Sequence, residues 1–163
     1  MITLKPISSS NFETCMGLKV SPAQKKYIAS NAYSLAEAYV LTQERYETPL
    51  PYGIYHQDKM IGFALAIYQP RNPEDERDDK AIYFIPRFMI DEKKQGKGYG
   101  REAFKVLMDH LSTQPVGKAT ELILSVDLSN KAALSLYEAA GFKPLPDEVD
   151  DDGDQIYAYT IQQ

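Results

Sequence analysis

Apolar and polar positions change their period several times along the chain. ITLKPI (2–7) alternates in the manner of a first strand. A short helical stretch follows near Asn11–Leu18, and Ser21–Pro22 marks a second helix start, with proline at the first helical position. SLAEAYVLTQERY (34–46) predicts a longer helix, capped by Ser34 with Glu37 three residues on, the spacing of a capping box. Pro49 and Pro51 are expected to end that region. In YGIYHQDKMIGFALAIY (52–68), two β-rich runs flank the polar turn His56–Lys59, which predicts a hairpin.

QPRNPEDERDDK (69–80) reads as a loop, and AIYFIPRFMID (81–91) as a long strand. Proline lacks an N–H, so Pro86 requires an edge, a bulge or a break in pairing at that point. Residues 100–113 carry apolar positions at Ala103, Phe104, Leu107 and Leu111, one face of a helix. ELILSVD (121–127) reads as a buried strand, and NKAALSLYEAAGF (130–142) as a helix stopped by Gly141. A last hairpin turns at Asp152–Gly153 and ends in DQIYAYTI. The strand–helix–strand–helix order through the middle implies parallel pairing of 81–91 with 121–127, beside antiparallel neighbours, hence a mixed α/β fold.

Composition narrows the field. A chain of 163 residues without repeat or linker is expected to be one domain, and 44% hydrophobic content suffices for a core. A formal charge of −5 argues against nonspecific nucleic-acid or anionic-membrane binding. One cysteine excludes an intramolecular disulfide and a multi-cysteine metal site, and Cys15 reads as a small core residue rather than a nucleophile. MITLKPISSS has no apolar targeting core and no run approaches membrane-spanning length, so the expected location is the cytoplasm.

The chemistry concentrates in FMIDEKKQGKGYGREAF (88–104), where Gly96, Gly98 and Gly100 alternate between a strand and a helix. The P-loop pattern GxxxxGK[ST] is absent. The dinucleotide pattern GxGxxG fails because Arg101 stands at its last glycine. A third pattern, Q/R-x-x-G-x-G/A, is met by Gln95, Gly98 and Gly100. Such a loop aims its N–H groups and the positive end of a helix dipole at one pyrophosphate. Glycine is needed there because a Cβ would hold the phosphate off the backbone, and Lys97 and Arg101 add charge at the rim. A glycine-rich turn that binds nothing is the alternative at this point.

A second segment weighs against that alternative. Asn130, Ala133 and Tyr137 form the pattern N-x-x-A-x-x-x-Y-E-x-x-G-F after the strand ELILSVD. Strand, QGKGYG, helix, strand and this helix together resemble the GNAT family of N-acetyltransferases, closely from residue 81 to Phe142 and in outline at the flanks. The resemblance implies the acyl-CoA N-acyltransferase fold: a mixed central sheet flanked by helices, whose two central parallel strands splay into a cleft. Acetyl-CoA is then the acyl-donor cosubstrate. Phe88, Met89 and Ile90 would offer main-chain groups to its pantetheine arm. Gln95, Gly96, Lys97, Gly98, Tyr99, Gly100 and Arg101 would hold the pyrophosphate. Asn130 and Ala133 would face the arm, and Tyr137 would stand beside the thioester sulfur as the general acid. The N–H of Met89 or Ile90 would stabilise the oxyanion. Some polyamine-acetylating relatives carry an acidic residue shortly before the FMI segment. Pro86 and Arg87 stand here instead, which leaves Glu37, Glu74, the two histidines or a water relay as the base. His56 and His110 are expected to face solvent.

The N-terminal half carries a weaker resemblance. VSPAQKKYIASNAYSLAEAY (20–39) is similar to a segment VxxxQxxYIAxNxxSLxEA of bacterial spermine/spermidine acetyltransferases. Gln24, Tyr27, Asn31, Tyr33 and Glu37 are therefore expected acceptor contacts, with packing roles as the alternative. PEDERDD (73–79) and DEVDDDGD (147–154) would attract a polycation, or serve only as solvated loops. Asp150, Asp152 and Gly153 echo part of a calcium loop, but Tyr159 occupies the place of its closing glutamate, so no metal is expected. The expected activity is direct acetyl transfer to a small-molecule primary amine, with spermidine or spermine leading. An amino acid, an aminoglycoside, a protein N-terminus or a non-catalytic acyl-CoA-binding module are the alternatives. A homodimer is compatible with the resemblance.

Overall fold

The computed structural model describes residues 1–163. In chain order it has β1 (Ile2–Pro6), α1 (Phe12–Gly17), α2 (Asn31–Leu41), β2 (Thr48–His56), β3 (Lys59–Gln69), β4 (Ile82–Ile90), α3 (Tyr99–Ser112), β5 (Glu121–Val126), α4 (Lys131–Ala139), β6 (Lys143–Val149) and β7 (Gln155–Thr160). The strands form one seven-stranded sheet in the order β1-β2-β3-β4-β5-β7-β6. β4 and β5 pair in parallel and every other neighbouring pair is antiparallel. The element order and the parallel pair match the sequence pattern.

Helices cover both faces. α3 presents Ala103, Phe104, Leu107, Met108 and Leu111, all buried, to the larger core cluster. α1 and α2 cover the opposite face, where Cys15 and Ala38 meet Phe63, Leu65, Ile67 and Met89. β3 lies between the two layers and is buried on both sides, which explains its near-continuous apolar run. Burying each large apolar side chain contributes about 1.5–3 kcal/mol. No helix is long and apolar enough to cross a membrane.

Four local expectations are corrected. α2 begins at Asn31, not Ser34: Ser30 is its cap, accepting from the Tyr33 N–H at 3.1 Å. Ser34 lies one turn inside and is fully buried, with its hydroxyl donating to the Ser30 carbonyl. Ser21–Pro22 opens only a single 3₁₀ turn, Pro22–Gln24. Pro49 and Pro51 do not precede the hairpin but lie within β2, opposite Ile67 and Leu65. His110 is not solvent-facing: its Nε2 lies 2.9 Å from the Tyr52 hydroxyl, and partial burial lowers its pKa.

Candidate active site

The site originates in β4. Its register against β3 runs Leu65↔Arg87 and then Ile67↔Phe84, so Ala66 alone opposes Ile85 and Pro86. This is a bulge, one of the three outcomes Pro86 required. The parallel ladder to β5 stops at the same place, with Phe84↔Ile123 as its last pair. Beyond it the two strands part, and a cleft of about 550 Å³ opens between them. Its walls are β4 from Ile85 to Ile90, the end of β5, the inner side of α4, the α1–α2 connection and the β6–β7 turn.

Strand alternation decides which main-chain groups face the gap. The Asp91 N–H donates to the Ile61 carbonyl at 2.8 Å, and Gly62 pairs with Ile90. Asp91 and Met89 thus direct their main-chain groups at β3, while Phe88 and Ile90 direct theirs at the gap. The Ile90 carbonyl is taken by the Gln95 side chain, which donates to it at 2.8 Å and to Gln24 Oε1 at 2.9 Å. Gln95 therefore ties the glycine loop to both β4 and the α1–α2 connection.

The loop has the form the sequence suggested. Gly96 and Gly98 have φ of +76° and +82°, a region that costs any other residue strain. Gly98 caps α3 with no side chain, so no side chain competes for the N–H groups of the first turn. A Cβ at Gly96 or Gly98 would meet nothing within 4 Å, so this surface is open. The bare amides, the helix dipole and the exposed Lys97 and Arg101 fit an anionic phosphate group. Gly100 lines the cleft itself. The Tyr99 ring does not; it stacks on His56 at 4.7 Å, at the β2–β3 turn.

Tyr137 enters the cleft from α4. Asn130 caps that helix, its Oδ1 accepting from the Ala133 N–H at 3.3 Å, and both residues line the cleft. At the other end Gly141 adopts φ +100°, with Gly141 N–H to Glu138 O and Phe142 N–H to Tyr137 O, both at 3.1 Å. This is a Schellman closure, with Phe142 as the apolar residue that follows it. The Tyr137 ring packs against Phe104 and Phe142, with centroids 5.1 and 6.3 Å away. Burial pushes its phenol up to about 12, so the hydroxyl keeps its proton throughout the neutral range.

The expected acceptor contacts divide. Gln24 and Tyr27 line the cleft, and the Tyr27 hydroxyl reaches Ser129 Oγ at 3.1 Å. Asn31 is buried and donates to the Cys15 carbonyl at 2.9 Å. Tyr33 is exposed. Glu37 accepts from Arg87, and Glu74 pairs with Arg45 at the surface, so neither glutamate faces the gap. The structure adds three carboxylates to the cleft wall: Asp127, Asp152 and Asp154. Asp154 registered in the sequence only as part of a charge run, and Asp152 as part of that run, of the hairpin turn and of a rejected calcium-loop echo. The available signal for Asp127 was its place one residue beyond a parallel strand, where α/β sheets open their ligand clefts.

A family model described as the acetyltransferase (GNAT) family matches residues 20–142. The chain belongs to that family. Acetyl-CoA is the cosubstrate of GNAT enzymes, and the protein is a GNAT-type acetyltransferase. It is 31% identical to a spermine/spermidine N(1)-acetyltransferase of Bacillus subtilis (strain 168) over 155 residues, 95% of either chain. Among solved structures it resembles the aminoglycoside acetyltransferase AAC(6')-Ib in complex with coenzyme A, with a TM-score of 0.74 at 18% identity over 98% of this chain and 95% of that one. It also resembles the spermidine N-acetyltransferase of Vibrio cholerae in complex with CoA and spermine, with a TM-score of 0.66 at 16% identity over 98% and 95%. These two likenesses concern the fold.

Proposed function

We propose that the protein transfers the acetyl group of acetyl-CoA directly to a primary amine of a polyamine such as spermidine or spermine. The observation that carries this reading is the presence of Asp127, Asp152 and Asp154 together in the lining of the cleft that Tyr137 enters. A flexible polycation gains from several carboxylates at once, whereas a monoamine uses one. The name of the Bacillus subtilis relative supports the same acceptor class.

The donor would lie with its pyrophosphate on the amides of Gly96–Arg101 and its arm along Phe88–Ile90, facing Asn130 and Ala133. The Ile90 N–H, turned to the gap, serves the oxyanion; Met89 N–H, turned to β3, does not. Tyr137 delivers its proton to the departing sulfur. Direct transfer is supported by the state of the sole cysteine, Cys15, which is fully buried and whose thiol is pushed up to about 11 by that burial.

The test is release of free thiol from acetyl-CoA with a panel of spermine, spermidine, a simple monoamine, an amino acid, an aminoglycoside and an N-terminal peptide. The polyamines are expected to give kcat/KM values at least tenfold above the monoamine. A higher value for the aminoglycoside or the peptide reassigns the acceptor. Tight coenzyme A binding with no turnover on any amine reduces the protein to a binding module.

A further inference from the structure

The residue that takes the acceptor's proton has no counterpart at the β4 position, where Pro86 and Arg87 stand, and Glu37 and Glu74 are engaged elsewhere. The sheet supplies another carboxylate. The last pair of the β5–β7 ladder is Val126↔Gln155. Continuing that antiparallel register by one residue sets Asp127 opposite Asp154. Directly opposed residues of antiparallel strands bring their Cβ atoms to about 4.5–5.5 Å. Both carboxylates line the cleft.

We propose that the Asp127–Asp154 pair receives the acceptor ammonium, and that Asp154 takes up its proton. This rests on acetyl transfer to an amine, though not on the amine being a polyamine.

The environments of the two acids differ in the sense the roles require. Asp127 accepts from the Ser129 hydroxyl at 2.7 Å and the Ser129 N–H at 2.8 Å, and these bonds, with Lys26 nearby, hold its pKa low. Asp154 has no such donors. Partial burial, and then the charges of Asp150, Asp127 and Asp152, push its pKa upward. Asp150 is occupied as the organiser of the turn, accepting from the Asp152 N–H at 3.0 Å and the Asp154 N–H at 2.9 Å. Lys26 is the cation facing the pair from the α1–α2 connection. A second observation points independently to a ligand in this gap. The half-buried Tyr137 side chain lines the same cleft, and its hydroxyl has no hydrogen-bond partner in the protein.

The step balances as follows. One N–H bond of the ammonium breaks, its electron pair stays on nitrogen, and the proton passes to a carboxylate oxygen of Asp154. The nitrogen pair forms the new C–N bond, the C–S bond breaks, and Tyr137 supplies the proton to sulfur. The second nitrogen proton returns to the Tyr137 oxygen, and Asp154 releases its own to water.

The test compares the wild-type chain with Asp154→Asn and Asp127→Asn, over pH 6 to 10, with spermidine and with a primary monoamine, and measures coenzyme A binding by calorimetry in parallel. Asp154→Asn is expected to lower kcat/KM for the amine by about 10²–10⁴-fold near neutrality. The deficit should shrink as pH rises toward the pKa of the amine, because free amine needs no base. Coenzyme A binding, and with it the fold of the cleft, should be unchanged. Asp127→Asn should act mainly on the acceptor KM. A deficit in Asp154→Asn below threefold, or one constant across the pH range, overturns the assignment of the base. In either case the wild-type acceptor panel still stands by itself, so the two readings fail separately. A wild-type chain inactive on every amine overturns both.

Discussion

The Arg87 guanidinium donates to Glu37 Oε1 at 3.2 Å and so fastens α2 to β4. Its Nε donates to Ser34 Oγ at 3.1 Å and its Nη1 to the Pro86 carbonyl at 3.0 Å. The Arg87 side chain is only 17% exposed, so losing one partner leaves polar groups poorly solvated. The pair therefore belongs to the scaffold that holds the bulged strand. Arg87→Ala and Glu37→Ala should each destabilise the protein, with a coupling of about 1 kcal/mol in a double-mutant cycle read from denaturant unfolding. Strictly additive losses would show that the pair does not hold the two elements together.

Tyr137 carries a different expectation, because its hydroxyl is directed at the cleft and bonded to nothing in the protein. Tyr137→Phe keeps the packing against Phe104 and Phe142 and removes only the hydroxyl. Turnover should fall about 10–1000-fold while coenzyme A affinity stays nearly constant. The phenol is raised in the folded state, so it also links to stability. The unfolded phenol ionises first as pH climbs past its ordinary value near 10, and the stability it contributes is lost between there and about 12. Below pH 10 this group should leave no alkaline limb in the rate profile. Unchanged turnover in the Phe variant would remove the general-acid role.

The glycine loop shows how far the sequence could be read. Its position, its open backbone and the helix it starts were legible because QGKGYG sits between a strand and a helix. The reason for glycine at 98 was only half visible: a Cβ there meets no protein atom, and the constraint is φ of +82°. Gly98→Ala should thus cost about 1–2 kcal/mol of loop conformation and weaken coenzyme A binding by about tenfold in calorimetry. Gly153→Ala is the comparison for backbone strain alone, since Gly153 has φ of +83° in an equally open turn outside this loop. Equal affinities for the two variants would contradict the loop assignment.

Other features resisted reading for identifiable reasons. Ser30 and Ser34 are both cap-competent, and only the tertiary contact to Arg87 selects the inner one for burial. Pro49 and Pro51 look like stops, yet they sit in a strand that tolerates them within its ladders. The bulge at Pro86 was foreseen as one of three outcomes, but its coincidence with the end of the parallel ladder was not, because pairing registers are not local properties. The same holds for Asp127 and Asp154, which are 27 residues apart in sequence and flank Val126↔Gln155, the last pair of the β5–β7 ladder.

The ladder that stops at Phe84 is secured from below by Tyr83, which is fully buried. Its hydroxyl donates to the Gly117 carbonyl at 2.8 Å and accepts from the N–H groups of Val116 and Gly117 at 3.0 and 3.1 Å. This one oxygen thus fixes the connection between α3 and β5, and with it the register Tyr83↔Leu122 that precedes the splay. Tyr83→Phe keeps the ring and its packing on Tyr68, with centroids 4.9 Å apart, but strands two donors and one acceptor. Leaving such groups unpaired costs about 1–3 kcal/mol in all when solvent can partly reach them. The expected result is a lower urea midpoint at unchanged slope, with turnover per folded molecule near wild type, because no cleft residue is touched. A midpoint equal to that of the parent would show that the connection is held by other contacts. A large loss of turnover at full stability would show that the register beneath the splay sets the width of the cleft.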